Sequence, residues 1–174
     1  MKAKKYFLPK SSGFHRVMNF EKKYIKRLFE RFKQKLKINV VWDSGNGSAG
    51  QIMKKISEKI SGHQEILFSK IDGNFPNHHP DPSNPKNLDF CRKEVLEKKL
   101  DLGIAFDGDG DRVGVVDDKG RVVSGDNLLL IFALDLLKKK KRVVIGDVKC
   151  SQVFFDMVKK FGGKAIMSKT GHSH

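Results

Sequence analysis

The strongest chemical signature in this 174-residue chain is the segment Asp107-Gly-Asp-Gly-Asp-Arg112. Its three carboxylates stand at alternate positions and would repel one another unless a cation neutralised them. Mg²⁺ prefers oxygen ligands and commonly sits between carboxylates and a phosphate. Gly108 and Gly110 allow the backbone to turn tightly, and Arg112 adds a planar cation suited to a phosphate or carboxylate. The segment therefore predicts a magnesium site, with Asp107, Asp109 and Asp111 as ligands, that presents the ion to a phosphorylated substrate.

Two other structures are compatible with clustered Asp-Gly pairs. An acidic surface turn needs one such pair, whereas this segment has two and a further aspartate. The calcium loop of an EF-hand would take Asp107, Asp109 and Asp111 as ligands and Asp118 as its twelfth residue. Its sixth position, however, requires glycine and here holds Arg112, and the flanking runs are typical of strands. The magnesium site is the preferred interpretation.

A glycine-rich turn provides a second motif. Gly45, Gly47 and Gly50 fit G-x-G-x-x-G between an expected strand and an expected helix, with Asp72 further on, which on form alone is a dinucleotide fingerprint. Glycine is also common at strand-to-helix turns for steric reasons, and nucleotide binding would leave the acidic segment unexplained. We therefore expect a structural turn.

The hydrophobic pattern predicts elements that would position both motifs. Helical spacing of apolar residues begins after a possible cap at Asn19, and strand and helix patterns then alternate. Alternation of this kind builds a parallel or mixed α/β sheet covered by helices, with site loops at the carboxyl ends of strands. The predicted helices are 19–32, 51–61, 87–99, 127–139 and 151–161, and the predicted strands are 37–43, 65–70, 102–106, 113–116, 121–124, 143–146 and 164–167.

Composition restricts the class of protein. Apolar residues make up 39% of the chain, which is ordinary for a globular protein, and no apolar run is long enough for a membrane span. The net charge is +15, of which residues 1–40 carry +11. A solvated basic helix explains this segment without nucleic acid, because no nucleic-acid-binding motif accompanies it. With Cys91 and Cys150 far apart in sequence, a reducing, cytoplasmic setting is expected.

Five segments together resemble the phosphohexomutase family, in particular its bacterial phosphomannomutase/phosphoglucomutase branch. They follow the family's order and spacing from about residue 20 to the end, and the combination is far more specific than any one motif. The matching segments are residues 43–50, 72–82, 107–112, 147–150 and 169–173.

The resemblance implies a Mg²⁺-dependent transfer of phosphate between positions 1 and 6 of a hexose, through a hexose 1,6-bisphosphate intermediate. It implies that Asp107, Asp109 and Asp111 bind the metal and that Arg112 contacts the phosphate. Lys149 and His172 would approach the sugar as polarising or proton-transfer groups. His78 and His79 would belong to a structural loop and not to the site.

The resemblance also implies a domain organisation. We expect a basic segment and helix over residues 1–35, a second-domain-like metal-loop region over 36–120, and a truncated third-domain-like α/β region over 121–174. The family's phosphoserine loop and sugar-reading segment have no counterpart in the sequence, so the chain alone is expected to be inactive. It would then be a fragment, or half of a split enzyme with a partner polypeptide. The alternative is a non-enzymatic module that binds Mg²⁺ and anions.

Overall fold

The structure is a computed structural model that describes residues 18–30, 32 and 36–171. The chain divides into two compact units, residues 1–33 and 34–174. In the described part of the first unit, helix α1 (Glu21–Phe29) follows Asn19, whose side-chain Oδ1 accepts a hydrogen bond from the Glu21 N–H at 3.0 Å. Asn19 therefore satisfies the N–H of the first helical residue, but the N-cap position is Phe20 and not the predicted Asn19.

A five-stranded mixed sheet forms the first part of the second unit, in the order β2-β1-β3-β4-β5. Its first three strands in that order are parallel, and β4 and β5 run antiparallel to their neighbours. The strands are β1 (Val40–Asp43), β2 (Gln64–Leu67), β3 (Leu102–Phe106), β4 (Val113–Asp117) and β5 (Val122–Val123). The helices are α2 (Gly50–Ser57) and α3 (Asp89–Lys98), the latter preceded by a 3-10 helix (Pro85–Leu88).

Strand β1 is buried on both faces because a helix covers each side of the sheet. Side chains alternate along a strand, so Val40 and Trp42 face one way and pack in a cluster with Met53 of α2. Val41 faces the other way and packs with Cys91 and Val95 of α3. This α/β arrangement confirms the predicted fold class.

A second, smaller region of the same unit consists of a two-stranded parallel sheet and two helices. They are α4 (Gly125–Lys139), β6 (Val143–Asp147), α5 (Gln152–Lys160) and β7 (Lys164–Ser168). Its core joins Ala133 and Leu137 of α4 to Phe154, Phe155 and Val158 of α5. The two strands end side by side, which places the turns after Asp147 and Ser168 at one edge.

Several predicted boundaries were wrong by a few residues. The first strand begins at Val40 and not at 37, α2 ends at Ser57 and not at 61, and the helix predicted from 87 begins as the 3-10 helix. Strand β5 pairs with β4, so the five-stranded sheet extends through Val123, beyond the expected domain boundary at 120. That domain division stays a prediction. No helix in the described part of the chain is long and apolar enough to span a membrane.

Candidate functional site

The acidic loop (residues 107–112) joins β3 to β4, and the glycine turn (residues 44–50) joins β1 to α2. Because β1 and β3 are adjacent parallel strands, both segments leave the sheet at the same edge. The two make direct contact, since the Ser48 N–H donates to the Gly108 carbonyl at 2.9 Å. The predicted site loops therefore meet where the topology of the sheet requires.

The three aspartates of the acidic loop converge. One carboxylate oxygen from each of Asp107, Asp109 and Asp111 lies within 4.8 Å of the others. Asp107 is buried, whereas Asp109 and Asp111 are exposed to solvent. Within the described ranges, no other group of three acidic, histidine or cysteine side chains could hold a metal ion in this way.

Hydrogen bonds inside the loop fix Asp107. Its Oδ1 accepts from the Arg112 N–H at 3.0 Å and its Oδ2 from Arg112 Nε at 2.7 Å. The Gly110 N–H donates to the Asp107 carbonyl at 3.1 Å, and Gly110 has a φ of +78°, a conformation that glycine adopts without strain. The strands on either side exclude an EF-hand, which requires flanking helices.

The electrostatics of the loop fit a cation. Burial alone would raise the pKa of Asp107, but hydrogen bonds from the backbone and guanidinium of Arg112 outweigh it and hold the pKa below its ordinary value. The pKa of Asp111 is raised, chiefly by repulsion from the Asp109 carboxylate and then from Asp107. Arg112 opposes this repulsion only in part, and a divalent ion among the three oxygens would relieve it. The donor set, all oxygen, is that of a hard cation such as Mg²⁺.

The glycine turn supports the acidic loop, and its N–H groups are not free to hold a phosphate. Gly45 N–H donates to Asp43 Oδ1 at 2.8 Å, and the N–H groups of Asn46, Gly47, Ser48 and Gly50 donate to backbone carbonyls. A Cβ atom at Gly47 would lie 2.7 Å from the Gly108 carbonyl oxygen, so glycine is needed for this close approach. These contacts agree with a structural turn.

Lys149 lies in the turn after β6, at the edge of the smaller sheet. Its N–H donates to Asp147 Oδ1 at 2.7 Å, and the same oxygen accepts from Thr170 Oγ1 at 2.9 Å. The turns after β6 and β7 are thus tied together through Asp147. His172, predicted to act beside Lys149, lies outside the described residues.

Two cavities are lined by predicted residues of the two regions. Arg112 lines a cavity of about 570 Å³ together with Ser83, Val123 and Gly125. Lys149 lines a second cavity of about 540 Å³, which also includes Gly125 at the start of α4. Gly125 is thus the one residue that lines both cavities.

Two carboxylates that make hydrogen bonds around the site were not identified from the sequence. Asp81, in the proline loop (residues 72–85), lies 3.1 Å from Nη1 of Arg112. Asp43, fully buried at the end of β1, lies 3.0 Å from Nε2 of His78. Each pair joins residues more than 30 positions apart, so sequence spacing carried no signal for either.

Comparisons with known proteins match each region of the chain to a family domain. Residues 22–120 match the family described as phosphoglucomutase/phosphomannomutase, alpha/beta/alpha domain II. Residues 124–174 match the same family's alpha/beta/alpha domain III. The two matches together cover nearly all of the described residues.

Similar proteins include a phosphomannomutase/phosphoglucomutase of Pseudomonas syringae, 44% identical over 95% of this chain and 36% of its own length. A phosphoglucomutase of Neisseria meningitidis is 41% identical over 86% of this chain and 33% of its own. A crystal structure of a phosphoglucomutase/phosphomannomutase family protein from Burkholderia thailandensis has a TM-score of 0.84 at 38% identity, covering 89% of this chain and 34% of that one. The chain thus spans 33–36% of the length of these proteins.

Proposed function

Because the chain belongs to the phosphoglucomutase/phosphomannomutase family, we propose that it contributes the metal-binding part of a hexose phosphate mutase. The reaction would move a phosphoryl group between positions 1 and 6 of mannose or glucose phosphate, through the bisphosphorylated hexose. Mg²⁺ would be the metal. The substrate class follows from the names of the relatives, and the chemistry follows from the acidic loop.

The observation that carries this proposal is the convergence of Asp107, Asp109 and Asp111 within 4.8 Å beside the Arg112 guanidinium. A phosphoryl group in transfer carries negative charge, and enzymes stabilise it with a metal ion and cations placed in advance. Bound Mg²⁺ would supply that positive charge at the acidic loop. The three aspartates would hold the ion, and Arg112 would bind phosphoryl oxygens.

Lys149 and His172 are proposed to act on the sugar. Lys149 lines a cavity that shares Gly125 with the cavity lined by Arg112, and its ammonium would approach a hydroxyl or phosphate of a bound hexose phosphate. A histidine can exchange a proton with a hydroxyl near neutral pH, and His172 lies two positions after Thr170, which is bonded to the Lys149 turn through Asp147.

We also propose that the 174-residue chain does not complete the reaction alone. Its sequence has no counterpart of the phosphoserine loop or the sugar-reading segment that the family resemblance implies. The reaction would then need those segments from elsewhere in the same polypeptide or from a partner polypeptide. Addition of such a polypeptide should create an activity that neither part shows separately.

A chimera tests the proposed function. Residues 22–171 of this chain would replace the matching segment of the Pseudomonas syringae phosphomannomutase/phosphoglucomutase, and conversion of mannose 1-phosphate to mannose 6-phosphate would be measured with Mg²⁺. The proposal expects activity, reduced roughly 100-fold or more by Asp109→Asn. The matched control is Asp118→Asn, which removes an exposed carboxylate from the β4–β5 turn and should leave the rate unchanged. A folded chimera with no activity would contradict the proposal.

A further inference from the structure

The guanidinium of Arg112 is held by carboxylates from two different loops. Asp107 of the acidic loop accepts from Nε at 2.7 Å, and Asp81 of the proline loop accepts from Nη1 at 3.1 Å. Asp111 lies further away, with its Oδ1 3.8 Å from Nε. The third nitrogen, Nη2, has no hydrogen-bond partner among the residues that the structure describes.

A guanidinium is planar, so fixing two of its nitrogens also fixes the direction of the third. We propose that Asp81 is a positioning residue for Arg112: it holds Nη1 so that Nη2 stays oriented to bind a phosphoryl oxygen. Asp107 fixes only Nε of the side-chain plane, so on its own it would leave the rigid guanidinium free to turn about the bond from Cδ to Nε. Asp81 removes that freedom before a ligand arrives, and binding then costs less conformational entropy.

The Asp81 carboxylate is itself fixed within the proline loop. Its Oδ1 accepts from the Ser83 N–H at 3.1 Å and from the Ser83 hydroxyl at 2.7 Å. These hydrogen bonds, the hydroxyl's first, lower the pKa of Asp81 below its ordinary value. The Asp81 carbonyl in turn accepts from Asn87 Nδ2 at 2.9 Å. Asp81 therefore remains ionised at neutral pH and cannot easily turn away from Arg112.

The proline loop is also anchored to the sheet at its middle. The His78 ring lies with Nε2 at 3.1 and 3.0 Å from the two carboxylate oxygens of Asp43, and its Nδ1 lies 3.0 Å from the His79 carbonyl. Phe68 and Phe90 contact the same ring. Asp43 is fully buried at the end of β1, so this contact is a rigid attachment point.

A neighbouring contact attaches the loop to the glycine turn. Asn77 Nδ2 donates to Asn46 Oδ1 at 2.7 Å, and Asn46 Nδ2 donates to the Lys70 carbonyl at 2.8 Å. The glycine turn already supports the acidic loop through Ser48 and Gly47. Both loops that hold Arg112 are thus attached to the same turn, which fixes the distance between Asp81 and Asp107.

The positioning of Arg112 can be measured without any enzyme activity. Hydrogen exchange of the Arg112 Nε–H would be followed by NMR in the whole 174-residue chain, with the signal assigned by its loss in Arg112→Lys. Asp81→Asn keeps the Oδ1 that accepts from both Ser83 and Arg112 Nη1, and removes only the negative charge that strengthens the bond to Nη1. We expect exchange to become about threefold faster, the size of effect of a partly exposed ion pair.

Two further variants make this result interpretable. Asp135→Asn removes a carboxylate from the exposed face of α4, where it pairs only with Lys139 among the described residues, and should leave the Arg112 exchange rate unchanged. Asp81→Glu keeps the charge but shifts it by one methylene, and should give a smaller increase than Asp81→Asn. Exchange rates in both Asp81 variants equal to that of the unmodified chain would overturn the positioning role.

The positioning of Arg112 by Asp81 does not depend on the proposed function, but the identity of the group that Nη2 binds does. Titration with inorganic phosphate tests that identity separately. The Arg112 Nε signal would be titrated with phosphate in the presence of Mg²⁺. Loss of a negative charge at Asp81 would by itself strengthen phosphate binding, whereas loss of positioning predicts binding about threefold weaker. Weaker binding in Asp81→Asn supports positioning, and stronger binding contradicts it. No phosphate response in the unmodified chain would count against the proposed role of Arg112, and the exchange rates would still decide whether Asp81 positions it.

Discussion

The five-stranded region and the two-stranded region differ in how completely they bury their apolar side chains. In the first, Val41, Leu88, Cys91, Val95 and Val116 are all 0% exposed. In the second, the strands leave Val143 56% and Ile145 61% exposed, and α4 leaves Leu136 53% exposed. Within these 174 residues, the larger sheet has a buried core with helices on both faces, whereas the strands of the smaller sheet keep apolar side chains exposed.

The candidate site is likewise divided between the two regions, with the acidic loop in the first and the Lys149 turn in the second. The acidic loop is supported by the glycine turn and, through Arg112, by the proline loop. The Lys149 turn is joined by hydrogen bonds of Asp147 and Asp126 to neighbouring residues of its own region. Within these 174 residues, the acidic loop therefore rests on a buried core, whereas the Lys149 turn rests on a less enclosed scaffold.

Matched leucine substitutions should show the largest difference between the regions. Leu88→Ala removes a fully buried side chain next to α3 and should lower the free energy of unfolding by about 3 kcal/mol. Leu136→Ala acts on a half-exposed side chain and should cost less than about 0.5 kcal/mol. Urea unfolding followed by circular dichroism measures both. Equal costs would mean that both regions are equally closed.

A similar comparison uses two glycines. Gly47→Ala places a Cβ 2.7 Å from the Gly108 carbonyl oxygen, so the acidic loop must shift. We expect this shift to lower the free energy of unfolding by about 2 kcal/mol and to weaken Mg²⁺ binding. Gly125→Ala, in the second region, meets nothing within 4 Å and should be neutral. Urea unfolding and Mg²⁺ titration measure the two effects. Unchanged Mg²⁺ affinity in Gly47→Ala would contradict the supporting role of the glycine turn.

The attachment of the proline loop predicts a pH dependence. The hydrogen bond with Asp43 raises the pKa of His78 despite the opposing effect of burial. A raised pKa in the folded state gives stability that is fully present below the ordinary histidine pKa, about 6.5, and is lost as the pH rises through the raised value. His78→Gln should therefore cost roughly 1–2 kcal/mol at pH 5.5 and less at high pH.

Urea unfolding at several pH values, followed by fluorescence of Trp42, tests this dependence in the region that contains His78. The matched control is His63→Gln, which changes a histidine side chain that is 57% exposed and should alter stability little at any pH. A cost for His78→Gln that does not vary with pH would contradict the contribution of the charged pair.

The smallest effect is expected in the second region. Asp126 accepts from Ser124 Oγ at 2.5 Å and from the Ser151 N–H at 3.0 Å, which joins the starts of α4 and α5. These bonds, with that of Ser124 first, lower the pKa of Asp126, so its contribution is present above the ordinary pKa of aspartate and is lost as the pH falls through the lowered value. Asp126→Asn should cost about 0.5 kcal/mol at pH 7, because solvent screens the site. The same loss at pH 7 and pH 2 would refute this.

The acidic loop was predictable because its information is local. Three aspartates and two glycines within six residues determine both the turn and the donor set. The strand–helix alternation likewise follows from hydrophobic periods within each segment. The fold class and family could therefore be identified from the sequence.

The contacts that position the loop could not be found in the same way. Asp81 and Arg112 are 31 residues apart, and Asp43 and His78 are 35 apart. They meet only because β1 and β3 are neighbours in the sheet and the proline loop passes over their ends. His78 was expected to be structural from the family resemblance, but its buried partner depends on the tertiary fold. The shift of the first strand to Val40 has a similar origin, since strand pairing and not apolar character decides where a strand begins.

The central claim is that the acidic loop binds a divalent metal, and calorimetric titration with Mg²⁺ tests it most directly. Titration of the 174-residue chain should show one site, and Asp109→Asn should weaken it at least about tenfold without altering the far-UV circular dichroism spectrum. Asp118→Asn, an exposed aspartate outside the cluster, should bind as the unmodified chain does. Equal Mg²⁺ affinity in the unmodified chain and in Asp109→Asn would contradict the account.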